Sequence, residues 1–156
     1  MNPEAVKHFI NSIMDAFADG DPNVTDKSSE RSNVAILRAQ YTAIAHGDLQ
    51  TFASTLSDNV ELEIIAPPEL PFRGHWKGKR NVLEAVIRNF AMLEDQRPEI
   101  LTVVAQGDTV IVFAREAGRI KASKREYLIH WMQRFTFQNG FLLKMTELAD
   151  TSGLMK

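Results

Sequence analysis

The stretch RFTFQNGFLLKM, residues 134–145, decides the fold class. Asn139-Gly140 is the dipeptide that most favours the tight two-residue turn of a β-hairpin. Phe135 and Phe137 precede the turn, and Phe141, Leu143 and Met145 follow it, both at the two-residue period of a strand. A hairpin is therefore expected between 124–137 and 141–148. Working back along the chain, Gly107-Asp108 is a second hairpin turn between strand-like runs 99–105 and 109–116. Gly118 and its neighbours make a third, looser turn. Four consecutive strands joined by turns form an antiparallel meander.

Upstream of the meander the apolar period becomes helical. Val6, Phe9, Ile10, Ile13, Met14 and Phe17 place an amphipathic helix over 3–18, stopped by Gly20-Asp21-Pro22-Asn23. A polar stretch, 25–32, reads as a linker. This first helix is too short to stand alone in water, so it is expected to dock on the domain or on a partner subunit. A second helix spans 33–46, with Val34, Leu37, Tyr41 and Ile44 on one face. Gly47 breaks it, and Asp48 can cap a third that turns Leu49, Phe52 and Leu56 inward. A strand follows over 60–65, then a loop over 66–78 punctuated by Pro67, Pro68, Pro71, Gly74 and Gly78. A helix over 79–93 carries Val82, Val86, Phe90 and Leu93 as its stripe. Helices, one strand, a helix and a meander describe an α+β fold with helices on one face of a curved sheet. Residues 1–32 form an N-terminal helix and linker, and 33–156 form the domain proper.

The composition excludes several classes of function. A chain of 156 residues is one domain with a real core. A net charge of −2 gives no basic field for nucleic acid or an anionic membrane. The basic clusters at 77–80 and 121–125 read as solvated turns and helix starts. The absence of cysteine removes disulfides, thiolate catalysis and Cys-type zinc sites, and suits a cytoplasmic protein. No signal peptide or membrane span is expected. The four histidines have no metal-ligand spacing, so no metal is expected, and no cofactor fingerprint of the phosphate-loop or dinucleotide type is present.

Several segments resemble a known family. The run Tyr41-Thr-Ala-Ile-Ala-His-Gly-Asp-Leu, with Leu56-Ser-Asp-Asn-Val-Glu-Leu after it, resembles the opening of SnoaL-like and ketosteroid-isomerase-like proteins of the nuclear-transport-factor-two-like superfamily. Pro71-Phe-Arg-Gly-His-Trp-Lys-Gly-Lys resembles that group's glycine segment before its third helix. His130-Trp-Met-Gln-Arg-Phe, Asn139-Gly140 and Glu147-Leu-Ala-Asp-Thr resemble its closing hairpin. The resemblance covers roughly 33–153. It implies a cone-shaped barrel of sheet wrapped around about three helices, with the N-terminal helix as an extra. It also implies an apolar pocket for a small hydrophobic or carbonyl-bearing molecule, and a homodimer through the outer face of the sheet. Activities in the superfamily include isomerisation, cyclisation, dehydration and epoxide hydrolysis, and many members have none known.

The steroid isomerases in that group use a carboxylate base, a tyrosine and a protonated aspartate, an arrangement for moving a proton beside a carbonyl. Their three positions correspond here to Ile64, to Gln40 with Tyr41 beside it, and to Gln133. None matches, so the known steroid chemistry is not expected. Glu61 and Glu63 alternate with Val60, Leu62 and Ile64 and are therefore expected on the outer face. The resemblance places Ile111, Phe113 and Arg115, then Ile129, Trp131, Gln133 and Phe135, then Phe141, Leu143, Met145 and Glu147 on the pocket side. Arg115, Gln133 and Glu147 would converge among aromatic walls, with Glu147 as the acid/base and Arg115 as its partner or as a ligand-steering cation. A buried Arg–Glu pair that only orders the sheet is the competing reading. His75 and Trp76 are expected at the pocket mouth, and Tyr41 as core or as a pocket donor. Two functions follow: metal-independent acid/base catalysis of the isomerase, cyclase, hydratase or hydrolase type, or a non-catalytic ligand-binding or dimerisation domain.

Overall fold

The computed structural model describes residues 1–18 and 28–150. Helix α1 (Pro3–Ala18) is followed by α2 (Ser28–His46), α3 (Leu49–Ser54) and the strand β1 (Leu56–Ile65). A short strand β2 (Gly74–Lys77) leads into α4 (Lys79–Ala91). The meander β3 (Leu93–Gln106), β4 (Thr109–Ile120), β5 (Glu126–Gln138) and β6 (Phe141–Asp150) completes the described chain. The fold is α+β. Its six strands lie in the order β2-β1-β6-β5-β4-β3, antiparallel except for the β1–β6 pair. The sheet curves without closing, and β2 and β3 are its edges. Among the described residues no helix is long and apolar enough to cross a membrane.

Local chemistry accounts for the joints. The Asp48 carboxylate caps α3 by accepting from the Thr51 N–H at 3.0 Å. Asn139 and Gly140 both take positive φ, 52° and 80°, as the tight β5–β6 hairpin requires. On α2, Leu37, Gln40 and Tyr41 are buried on one face, with Ile44 packed beside them. Val82, Ala85 and Asn89 do the same on α4. On β1, Val60, Leu62 and Ile64 enter the core. Glu61 lies on the other side, 3.1 Å from His75 and 3.6 Å from Lys77, and Glu63 lies 3.8 Å from Lys144.

The N-terminal helix docks on its own sheet. Phe9 and Ile13 belong to the same core cluster as Leu37, Val110 and Trp131. The Ser12 hydroxyl accepts the Ile100 N–H at 3.0 Å, beside a register shift between Ile100 and Thr102 that would otherwise leave a donor unpaired.

Several expectations need correction. Residues 28–32, read as linker, open α2; the rest of that linker and the Gly20-Pro22 stop lie outside the described residues. Gly118 lies inside β4, and the chain turns at 121–125 instead. Most consequential is the facing of β4. Val110, Val112 and Ala114 are buried, whereas Ile111, Phe113 and Arg115 point outward. Both sides of this strand are apolar, so alternation could not choose between them. On β6, a register shift opposite Thr136/Phe137 buries Leu142 and leaves Phe141 exposed.

Candidate functional site

Between the concave side of the sheet and α2 and α4 lies an apolar cavity of about 160 Å³. Its walls include Phe52, Phe72, Val82, Trp131 and Phe135. Trp131 and Phe135 pack against the Tyr41 ring at centroid distances of 6.4 and 6.1 Å. The alternation of β5 brings Trp131, Gln133 and Phe135 to this side together.

A polar chain crosses the apolar lining. The Tyr41 hydroxyl donates to Gln133 Oε1 at 2.5 Å, and Gln133 Nε2 donates to Glu147 Oε2 at 2.6 Å. Gln133 and Glu147 are direct cross-strand partners, so the sheet register itself sets this contact. Glu147 is only 8% exposed. Burial pushes its carboxyl up to about 7, the amide bond from Gln133 opposes the rise, and the charge of Glu116 adds to it. Burial, then the nearby Glu147 charge, raises the Tyr41 phenol well above its ordinary value, so it stays a neutral donor.

Glu116 is the acid that sequence reasoning missed. It lines the same cavity from β4 and accepts from the Tyr127 hydroxyl at 2.5 Å and from Gln96 Nε2 at 3.2 Å. Burial raises its carboxyl above the ordinary value, against the lowering effect of hydrogen bonds from Tyr127, Gln96 and Trp131. Burial, followed by the Glu116 charge, also raises the Tyr127 phenol. Gly118 makes this arrangement possible, because a Cβ there would lie 2.5 Å from the Tyr127 hydroxyl oxygen. The available signal was the pattern Glu116-x-Gly118 opposite Tyr127 and Ile129, which becomes visible once β4 is paired with β5.

The cavity brings together Gln40, Tyr41, Ile64, Trp131, Gln133, Met145 and Glu147 from the sequence-derived set. Gln40 is held by a bond from its Nε2 to Thr55 Oγ1 at 2.7 Å. Arg115 is excluded by the facing of β4: it points outward and pairs with Glu99 at 2.6 Å, so it is no partner for Glu147. Phe113, on the same outer side, stacks on His130 at 5.8 Å. His75 is on the outer side of β2, paired with Glu61. Trp76 is half-buried, packs over Gly74 and lies under Arg88 at 5.5 Å, away from the cavity lining. No Lys, Arg or His lines the cavity among the described residues.

Comparison with known proteins agrees with this architecture. An NTF2-like protein from Burkholderia xenovorans superposes with a TM-score of 0.70 at 24% identity, covering 80% of this chain and 94% of that one. A proposed isomerase from Rhodopseudomonas palustris gives 0.64 at 26% identity, covering 79% and 92%. A Catenulispora acidiphila protein of ketosteroid-isomerase-like fold, solved in complex with trimethylamine, gives 0.62 at 14% identity, covering 76% and 87%. No curated protein matches the chain. The sequence profile of the SnoaL-like domain matches residues 37–145, from the inward face of α2 to Met145 on the last strand. The chain belongs to the SnoaL-like domain family.

Proposed function

We propose that the cavity performs metal-independent acid/base chemistry on a small, mostly apolar molecule, with Glu147 as the proton-transferring group. One observation carries this reading: a carboxyl buried among aromatic side chains, tied to Gln133 and through it to Tyr41, with its titration brought to about 7. A general acid/base works best when its pKa lies near the working pH. Gln133 holds one carboxylate oxygen, Tyr41 fixes the orientation of the Gln133 amide, and proton transfer falls to the remaining oxygen. Glu116 supplies the second carboxyl, whose negative charge keeps the Glu147 proton in place. Isomerisation, hydration or cyclisation of a carbonyl-bearing molecule needs such a group, and the steroid-type triad is not its source because Ile64 occupies the base position.

The size of the cavity supports a small ligand. A cavity of about 150 Å³ accommodates a benzene-sized guest, and the trimethylamine held by the Catenulispora relative is within that range. The test is turnover of a panel of small enones, lactones and epoxides by wild type and Glu147→Gln. General acid/base catalysis contributes roughly 10²–10⁴-fold, and a loss of that size in kcat is expected. Equal turnover by both would remove Glu147 from the mechanism and leave the non-catalytic binding reading.

A second proposal concerns assembly. Phe113, Met132 and Leu148 stand side by side across β4, β5 and β6 on the outer face, and all three are exposed. A contiguous apolar row on a sheet face marks a contact surface, and a second copy of this chain is the partner we infer. The cysteine-free composition favours a reducing compartment, which supports placing the dimer in the cytoplasm.

A further inference from the structure

The cavity is rich in acceptors, and no Lys, Arg or His side chain lines it among the described residues. Glu147 on β6 and Glu116 on β4 supply carboxyls. Asn89 on α4 supplies a third acceptor: it is only 9% exposed, and its Oδ1 has no hydrogen-bond partner among the described residues. The orientation of that amide is settled by chemistry, because its Nδ2 donates to the Phe72 carbonyl at 3.4 Å, and a carbonyl can only accept. Three elements thus aim acceptors into one cavity whose described lining contains no Lys, Arg or His. A buried carboxylate without a countercharge and a buried acceptor without a donor are both costly. Above pH 7, where Glu147 is ionised, a ligand that offered only a carbonyl oxygen would add a fourth acceptor to them. A protonated amine relieves all three, and the faces of Trp131, Tyr41 and Phe135 attract an ammonium group in the same space.

We propose that the ligand of this cavity is a small alkylammonium bearing at least one N–H, which it directs to Glu147, Glu116 and Asn89 while its alkyl groups lie against Trp131, Tyr41 and Phe135. The inference rests on reading the cavity as the functional site, and narrows its ligand from a hydrophobic molecule to an amine. The site thereby rejects anions. Around Glu147 stand Tyr41 of α2, Ile64 of β1, Trp131 and Gln133 of β5 and Glu116 of β4; Gln96 of β3 and Tyr127 of β5 attend Glu116. Glu116 is a second acid, Tyr41 and Tyr127 stay neutral phenols, and none of these residues carries a positive charge. With Glu147 titrating at about 7, its charge is largely absent at pH 6 and largely present at pH 8, so ammonium binding strengthens across that window.

The test uses the full chain, ¹⁵N-labelled, titrated with tert-butylammonium chloride, tert-butanol and pivalate at pH 6 and pH 8. The Trp131 indole and Gln133 side-chain amide signals report the cavity, and the Trp76 indole outside it is the control. At pH 8 the ammonium is expected to bind roughly ten-fold more tightly than at pH 6, the ratio of ionised Glu147 at the two pH values. It should also bind at least roughly ten-fold more tightly than tert-butanol at pH 8, and pivalate should not bind. Glu147→Gln should abolish the pH dependence and Glu116→Gln should weaken the ammonium alone, with preserved amide spectra showing that both variants fold. Binding of tert-butanol as tight as that of the ammonium would overturn the amine inference and leave the acid/base reading standing. No response of the Trp131 and Gln133 signals to any of the three probes would overturn both.

Discussion

Glu147 has a cost that can be measured without knowing any substrate. Its carboxyl titrates at about 7 in the fold against an ordinary 4.5, and the first cause is burial. Below 4.5 the folded and unfolded chains both hold the proton. Between 4.5 and about 7 the folded state holds a proton that the unfolded chain has released, so rising pH favours unfolding, and above 7 the penalty is complete. Its size is on the order of 3 kcal/mol. Glu147→Gln keeps the shape and removes the charge. The variant is expected to match wild type near pH 4.5 and to melt about 5–10 °C higher at pH 8. Thermal unfolding of both proteins at the two pH values checks this, and a variant no more stable at pH 8 would mean that the carboxyl is not buried as described. A group whose removal stabilises the fold is one retained for another reason, as expected of a working acid.

At the scale of the element, β4 explains what was legible in the sequence and what was not. The hairpins at Gly107-Asp108 and Asn139-Gly140 were readable because turn chemistry is local. On β5 alternation groups Trp131, Gln133 and Phe135 on one side, and the family resemblance put that side inward. On β4 the residues 109–114 are apolar or small on both faces, so the sequence contains no binary pattern to read. What decides the facing is non-local. Ala114 is fully buried, Gly118 is the small position that leaves room for the Tyr127 ring, and Glu116 finds its donors on β3 and β5. Arg115 therefore pairs with Glu99 outside, and the acid in the cavity is its neighbour. Gly118→Ala tests the packing, because alanine is otherwise at least as good as glycine in a strand. Its Cβ would meet the Tyr127 hydroxyl oxygen at 2.5 Å. Overpacking of this kind costs about 1–3 kcal/mol, and a melting temperature lower by about 3–10 °C is expected. A melting temperature unchanged to within about 1 °C would show that Tyr127 moves freely and does not position Glu116.

At the scale of the molecule, the two faces of the sheet serve different purposes. The concave face is filled by α1, α2 and α4 except where the cavity remains, so its polar groups are few. The convex face holds the ion pairs Arg115–Glu99 and Lys144–Glu63 around the row Phe113, Met132 and Leu148. A monomer gains nothing from placing large apolar side chains in the middle of a charged surface, whereas a self-complementary interface wants an apolar centre and a polar rim. The proposed dimer would also account for β4, whose inner side is apolar because it is core and whose outer side would be apolar as a contact surface. Light scattering at micromolar concentration is expected to give twice the chain mass. Met132→Glu puts a charge in the centre of the row, with Phe113 on one side and Leu148 on the other, and like charges from the two subunits would be buried together, at a cost of several kcal/mol. The variant should run as a folded monomer with the Glu147 titration unaltered, since Met132 points away from the cavity. A wild-type chain already monomeric, or a Met132→Glu chain still dimeric, would remove the outer face as the interface.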